Sequence, residues 1–177
     1  MTIMQIAGTI AFSFLLLVLQ STFAHLVPWD MFVPNAALTV VLYMGLHDHD
    51  VGRGALVSFG IGYLMDAFAG SPIGLFTFVS VAVFLISKVA AWRLFLQGWI
   101  FEIILAFLLA LAAGCVVLAI RALFDQDFGS LLSHAKIVVW RATATALVAP
   151  FVFRGMKWIE QVSARTKRSS GRKVLRG

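Results

Sequence analysis

The sequence predicts an all-α membrane protein of six transmembrane helices, and three observations carry that expectation. The chain is 61% hydrophobic and 12% charged, with a mean hydropathy of +0.96, whereas soluble domains run near ~45–50% and ~25%. Its apolar residues gather in long runs separated by short polar turns, the pattern of spans rather than of half-buried strands. Lys and Arg are divided unevenly between alternate turns, as membrane insertion requires. A soluble core of 177 residues could not hide this much apolar surface, so the surplus must face lipid.

The first span, 3–24, is almost uncharged. It lacks a basic leader region and a small-x-small cleavage site, so it is expected to remain as a helix. The connection 28–34 mixes Trp29, Asp30 and Phe32, residue types suited to the membrane–water interface. Pro34 is expected in the first turn of the second helix, 35–46, where its missing N–H costs nothing. That helix is short against the ~20 residues a span needs. The polar cluster His47-Asp48-His49-Asp50 closes it. Only Gly70 and Ser71 separate the third helix, 51–69, from the fourth, 72–91. Gly70 can end one helix in the left-handed conformation, Ser71 can cap the next, and Pro72 can open it. The last two helices are expected at 98–121 and 135–153.

With six crossings and an internal N-terminus, Arg53, Lys88, Arg93, Arg154, Lys157 and the basic tail lie inside, and only Arg121, Lys136 and Arg141 lie outside. Both termini are therefore expected to be cytoplasmic. The chain divides into a six-helix domain, 1–158, and a basic tail, 159–177. The tail carries Arg165, Lys167, Arg168, Arg172, Lys173 and Arg176 without hydrophobic periodicity, and is expected to be disordered. Against anionic lipid each of these residues contributes on the order of 1 kcal/mol. No fold surrounds the tail to present it to nucleic acid.

Three ionisable residues fall within the spans: Asp66, Glu102 and Arg141. Each would cost several kcal/mol facing lipid, so each is expected to face protein or to snorkel. Small residues repeat at i+4 beside them: Gly54, Ser58, Gly62, Asp66 and Gly70; Glu102, Ala106, Ala110 and Gly114; Arg141, Thr145 and Ala149. Such rows let helix backbones approach closely. Asp66 and Arg141 both lie towards the outer ends of their helices and are expected to pair. Glu102 lies near an inner end, with Arg93 and Lys88 as candidate partners.

Catalytic signatures are missing. The sequence has no phosphate-binding glycine loop, HExxH or nucleophile motif with a base. Two His and two Asp at 47–50, without further ligands, read as a solvated turn rather than a metal site. The single cysteine, Cys115, rules out an intramolecular disulfide and argues against a thiolate metal site. Neither an enzyme, a cofactor nor a metal is expected.

The stretch 34–75 resembles the MreD family of bacterial rod-shape-determining membrane proteins. The likeness rests on Pro34-Asn35, the run Tyr43-Met44-Gly45-Leu46, a polar turn with Gly52 and Gly54, and then GIGYLMDAFAGSPIGL, with Gly62, Asp66, Gly70, Pro72, Gly74 and Leu75. It is specific there and general over the last two helices. The resemblance implies a non-enzymatic inner-membrane scaffold of the cell-elongation machinery, supporting rod shape and lateral peptidoglycan synthesis. It implies an MreC-like bitopic partner and, through it, an MreB-like cytoskeleton and a RodA–penicillin-binding synthase pair. It also implies a fold similar to the six-helix substrate-binding subunits of energy-coupling-factor transporters. Two other classes compete. A small-solute-binding transporter subunit would show a polar cavity open to the outside. A membrane enzyme using Asp66 or Glu102 would need a nucleophile or metal set that the sequence does not offer.

Overall fold

Among the described residues six helices follow one another: α1 (Ile3–Leu26), α2 (Ala36–His47), α3 (Val51–Ala69), α4 (Leu75–Arg93), α5 (Trp99–Phe124) and α6 (Leu131–Val174). The computed structural model describes residues 3–26, 34–47, 50–69, 74–93, 99–124 and 131–174, with side chains over 5–22, 34–47, 50–69, 74–92, 100–120, 122 and 135–162. No strand occurs among the described residues. Among the described residues four helices carry stretches long and apolar enough to cross a membrane: Gln5–Thr22, Leu75–Trp92, Ile100–Ile120 and Ala135–Val162. The other two differ. α2 is a shorter apolar helix, and α3 holds Arg53 and Asp66 within 19 residues.

The side chains turned outward are large and apolar: Phe14 and Leu15 on α1, Leu56 and Phe59 on α3, Phe78 and Trp92 on α4, Leu108 on α5, Leu147 and Phe151 on α6. Water would not tolerate so extensive an apolar exterior, and hydrocarbon would. The chain has the surface of a membrane protein.

At the centre stands α2, which meets each of the other five helices. Its residues from Ala36 through Gly45 are all buried. A helix apolar on every side belongs in a core, and its neighbours form the boundary with lipid. This resolves why the second helix is so short. Asn35 caps it, its Oδ1 accepting a hydrogen bond from Leu38 N at 3.1 Å. Pro34 thus precedes the cap instead of occupying the first turn as expected. Asp50 caps α3 in the same way, accepting from Arg53 N at 3.3 Å and pairing with Arg53 Nε at 3.2 Å.

Close helix approach depends on glycine at two places. A Cβ at Gly45 would lie 2.5 Å from Ser87 Cβ and 2.8 Å from the Phe84 carbonyl oxygen. At Gly62 it would lie 2.5 Å from Thr77 Cα and 2.8 Å from the Phe76 carbonyl oxygen. Both helices, α2 and α3, therefore press on the backbone of α4. The fully buried Phe84 lays its ring over Gly54. Three buried hydroxyls are satisfied within their own helices: Ser13, Ser58 and Ser87 donate to the carbonyls four residues back at 2.8, 2.8 and 2.6 Å.

α6 runs far beyond the expected end at 153. Met156 is buried and Ile159 packs on the core, while Gly155 receives the Phe12 ring of α1. The apolar contact continues past Arg154, whose exposed side chain only marks the outer face. The backbone stays helical through Val174, although the composition of the segment after 158 suggested no regular structure. The side chains of Arg165, Lys167, Arg168, Arg172, Lys173 and Arg176 lie outside the described residues.

Candidate functional site

Asp66, which the spacing suggested as a partner for Arg141, is engaged at the α3–α4 corner. It is 2% exposed and reaches from α3 to the start of α4. Its Oδ2 accepts from Gly74 N at 2.9 Å, Thr77 N at 3.1 Å and Thr77 Oγ1 at 2.6 Å, and its Oδ1 accepts from Phe76 N at 2.8 Å. The first turn of a helix carries unpaired N–H groups and the positive end of the backbone dipole. A buried carboxylate placed there meets both needs. α4 starts at Leu75, three residues later than expected, and the cap assigned to Ser71 is supplied by the preceding helix. Gly70, Ser71 and Pro72 lie outside the described residues. Gly74, with φ +104°, turns the chain into α4 through a conformation that L side chains rarely adopt. The row Gly54, Ser58, Gly62 and Asp66 is buried, as its spacing predicts.

Next to this corner lies a cavity of about 530 Å³, bounded by parts of all six helices. Leu17, Leu38, Met65, Val79 and Val138 are among its walls; Gln20, Ser21, Asn35, Arg141 and Thr145 are its polar lining. Sequence reasoning singled out Arg141 and Thr145 of these and missed Gln20, Ser21 and Asn35. Asn35 had a legible signal, a cap residue before an apolar run. Gln20 and Ser21 had only their polarity within a span. Gln20 Oε1 accepts from Ala36 N at 3.3 Å, and Thr145 Oγ1 accepts from Asn35 N at 2.9 Å while donating to the Arg141 carbonyl at 2.7 Å. Arg141 is exposed and is the only charged residue among the described lining.

A second polar group ties the opposite ends of α2, α5 and α6. Tyr43, 1% exposed, donates to Glu160 Oε2 at 3.0 Å. Its ring stacks on His47 with centroids 4.2 Å apart. Glu102 Oε1 stands 3.9 Å from both His47 Nε2 and Lys157 Nζ. The partners of Glu102 are thus on α2 and α6, where Lys88 and Arg93 of α4 had been the candidates. Lys88 is buried in the helix packing, and the Arg93 side chain lies outside the described residues. Asp48 and His49 also lie outside them. Among the described residues no three His, Cys, Asp or Glu side chains converge to hold a metal. Cys115 is exposed on α5.

The three regions differ in chemical capacity. The corner's polar groups are engaged with one another, and the α2–α5–α6 group links helices. Only the cavity offers space. No family model, curated protein or solved structure matches the chain.

Proposed function

We propose that this chain is a non-enzymatic membrane scaffold of the MreD kind, crossing a bacterial inner membrane six times with both termini cytoplasmic. On this reading α2 and α3 cross as sheltered helices beside the four long ones. The scaffold binds an MreC-like bitopic protein and supports lateral wall synthesis through an MreB-like cytoskeleton and a RodA–penicillin-binding synthase. The observation that carries the reading is what the stretch 34–75 does. Gly45 and Gly62 seat α2 and α3 on α4, Gly54 receives Phe84, and Asp66 clamps the α3–α4 corner. The residues that resemble the family fix a shape and present no reactive group. Apolar outer faces of α1 and α3, joined by the edge-to-face contact of Phe14 and Phe68 at 5.8 Å, give a partner helix a surface to meet. Affinity purification in mild detergent tests this: an MreC-like protein with wall synthases is the expected recovery. Recovery of ATPases with no wall factors would sink it.

The cavity favours a second reading, a small-solute-binding transporter subunit. Its volume falls in the ~300–1,000 Å³ range of ligand sites, and its apolar walls carry a few polar groups, as such sites do.

A further inference from the structure

The cavity's polar lining divides into groups that the protein already uses and groups that it leaves over. Arg141 has an interaction within the protein, and the Thr145 hydroxyl both donates and accepts there. Gln20 and Asn35 each use the side-chain oxygen to accept a backbone N–H, from Ala36 and from Leu38. Those donors fix the orientation of both amides, since an NH₂ group cannot accept. Their NH₂ groups, and the Ser21 hydroxyl in the same lining, have no protein acceptor among the described residues. What is left over for a ligand is therefore uncharged, and the amide groups can only donate.

These groups stand at one end of the bundle. Gln20 and Ser21 lie near the end of α1 and Asn35 caps α2, and all three are half-buried. About one helical turn further in, the walls include the buried Leu17, Leu38 and Val79. Polarity thus falls from the helix ends towards their middle, in the order that a bilayer imposes on its own lipids. A charged head among Gln20, Ser21 and Asn35 would give up hydration for neutral partners, Arg141 being already engaged. A bare hydrocarbon would leave the NH₂ groups unmet. An uncharged carbonyl meets them, and an apolar chain meets the walls. We propose that the cavity binds a neutral single-chain lipid with an ester or other carbonyl head, the head between Gln20 and Asn35 and the chain along Leu17, Leu38 and Val79. This proposal rests on the reading of the cavity as a ligand site; it holds for a scaffold that carries a bound lipid as well as for a transporter subunit.

Native mass spectrometry of the full chain in nanodiscs of dioleoylphosphatidylcholine provides the test, a two-chain lipid being chosen because a single-chain detergent would compete for the site. The probes share one chain length: methyl palmitate, hexadecane without a head, hexadecyl sulfate as the anion and hexadecyltrimethylammonium as the cation. Methyl palmitate is expected to bind one per chain, at least about tenfold tighter than each of the other three. Asn35→Asp keeps the oxygen that accepts from Leu38 and replaces the NH₂ donor by an acceptor. It is expected to weaken methyl palmitate about tenfold, with hexadecane binding and the ligand-free thermal midpoint unchanged. Ala113→Leu extends a side chain of the lining into the space and is expected to abolish methyl palmitate binding in a folded chain. Hexadecane or either ion binding as tightly as methyl palmitate would overturn the proposal, and so would folded variants that bind methyl palmitate like the parent. Affinity purification reports on the scaffold separately. Selective ester binding with recovery of ATPases keeps the lipid and sinks the scaffold; unselective binding with recovery of an MreC-like protein does the reverse.

Discussion

Replacing Asp66 by Ala removes the common acceptor of three backbone N–H groups and one hydroxyl at the start of α4. Hydrogen bonds to a charged group contribute about 1.5–3 kcal/mol each, and a lost cap in an exposed helix costs about 0.5–2 kcal/mol. The exposed Gly74 can turn its N–H to water, whereas Thr77 is buried and has no such recourse. A loss of about 3–5 kcal/mol is expected for Asp66→Ala. Asp66→Asn can keep its oxygen in the place of Oδ2, which serves three of the four donors, and should lose about 1–2 kcal/mol. Thr77→Val removes the 2.6 Å bond and should lose about the same. The two sites share one interaction, so the double variant Asp66→Ala, Thr77→Val should be less destabilised than the sum of the singles by about 1 kcal/mol. Equilibrium unfolding in mixed micelles with rising SDS, followed by helical circular dichroism, measures all four. A change within about 0.5 kcal/mol for Asp66→Ala, the size of an ordinary surface substitution, would refute the capping account.

Gly62→Ala and Gly45→Ala should each lose about 1–3 kcal/mol through overpacking against the α4 backbone. Gly60→Ala, with nothing within 4 Å of its added Cβ, should be neutral or gain up to about 1 kcal/mol from helix propensity, and the same unfolding assay separates them. Phe84→Ala, which empties a fully buried site, should lose about 3–5 kcal/mol and lower accumulation in the membrane. Tyr43→Phe should lose about 1–2 kcal/mol, because Glu160 is then left without the phenol donor at 3.0 Å. Glu102→Gln should lose less than about 1 kcal/mol, its 3.9 Å contacts to His47 and Lys157 being long and partly exposed.

Much of the architecture was legible because bulk composition and periodicity report directly on solvent. Six helices appear close to the expected positions. The buried face of α3 follows from small residues at i+4, since only small side chains permit backbone contact. The end of α6 was misread because Arg154 looks like a boundary in one dimension. On the helix it faces outward while Met156 and Ile159 go on packing inward.

Partnership is where the sequence fell short. Asp66 and Arg141 share a depth, and that suggested a pair; depth does not report the four hydrogen bonds that Asp66 accepts from the start of α4. The N-terminal donors of α4 are brought to Asp66 by the turn through Gly74, a geometry that residue types do not encode singly. Glu102 likewise meets Lys157 because α5 and α6 pack together, although Lys88 and Arg93 are closer in sequence. The cavity was invisible for the same reason: its polar lining comes from α1, the start of α2 and α6, each contributing one or two residues whose convergence no single segment shows. Solvent preference is a property of a segment, and composition alone determined that this chain belongs in a membrane as helices. Hydrogen bonds and cavities are properties of several segments at once, so only the tertiary structure decided what Asp66 holds and where a ligand has room.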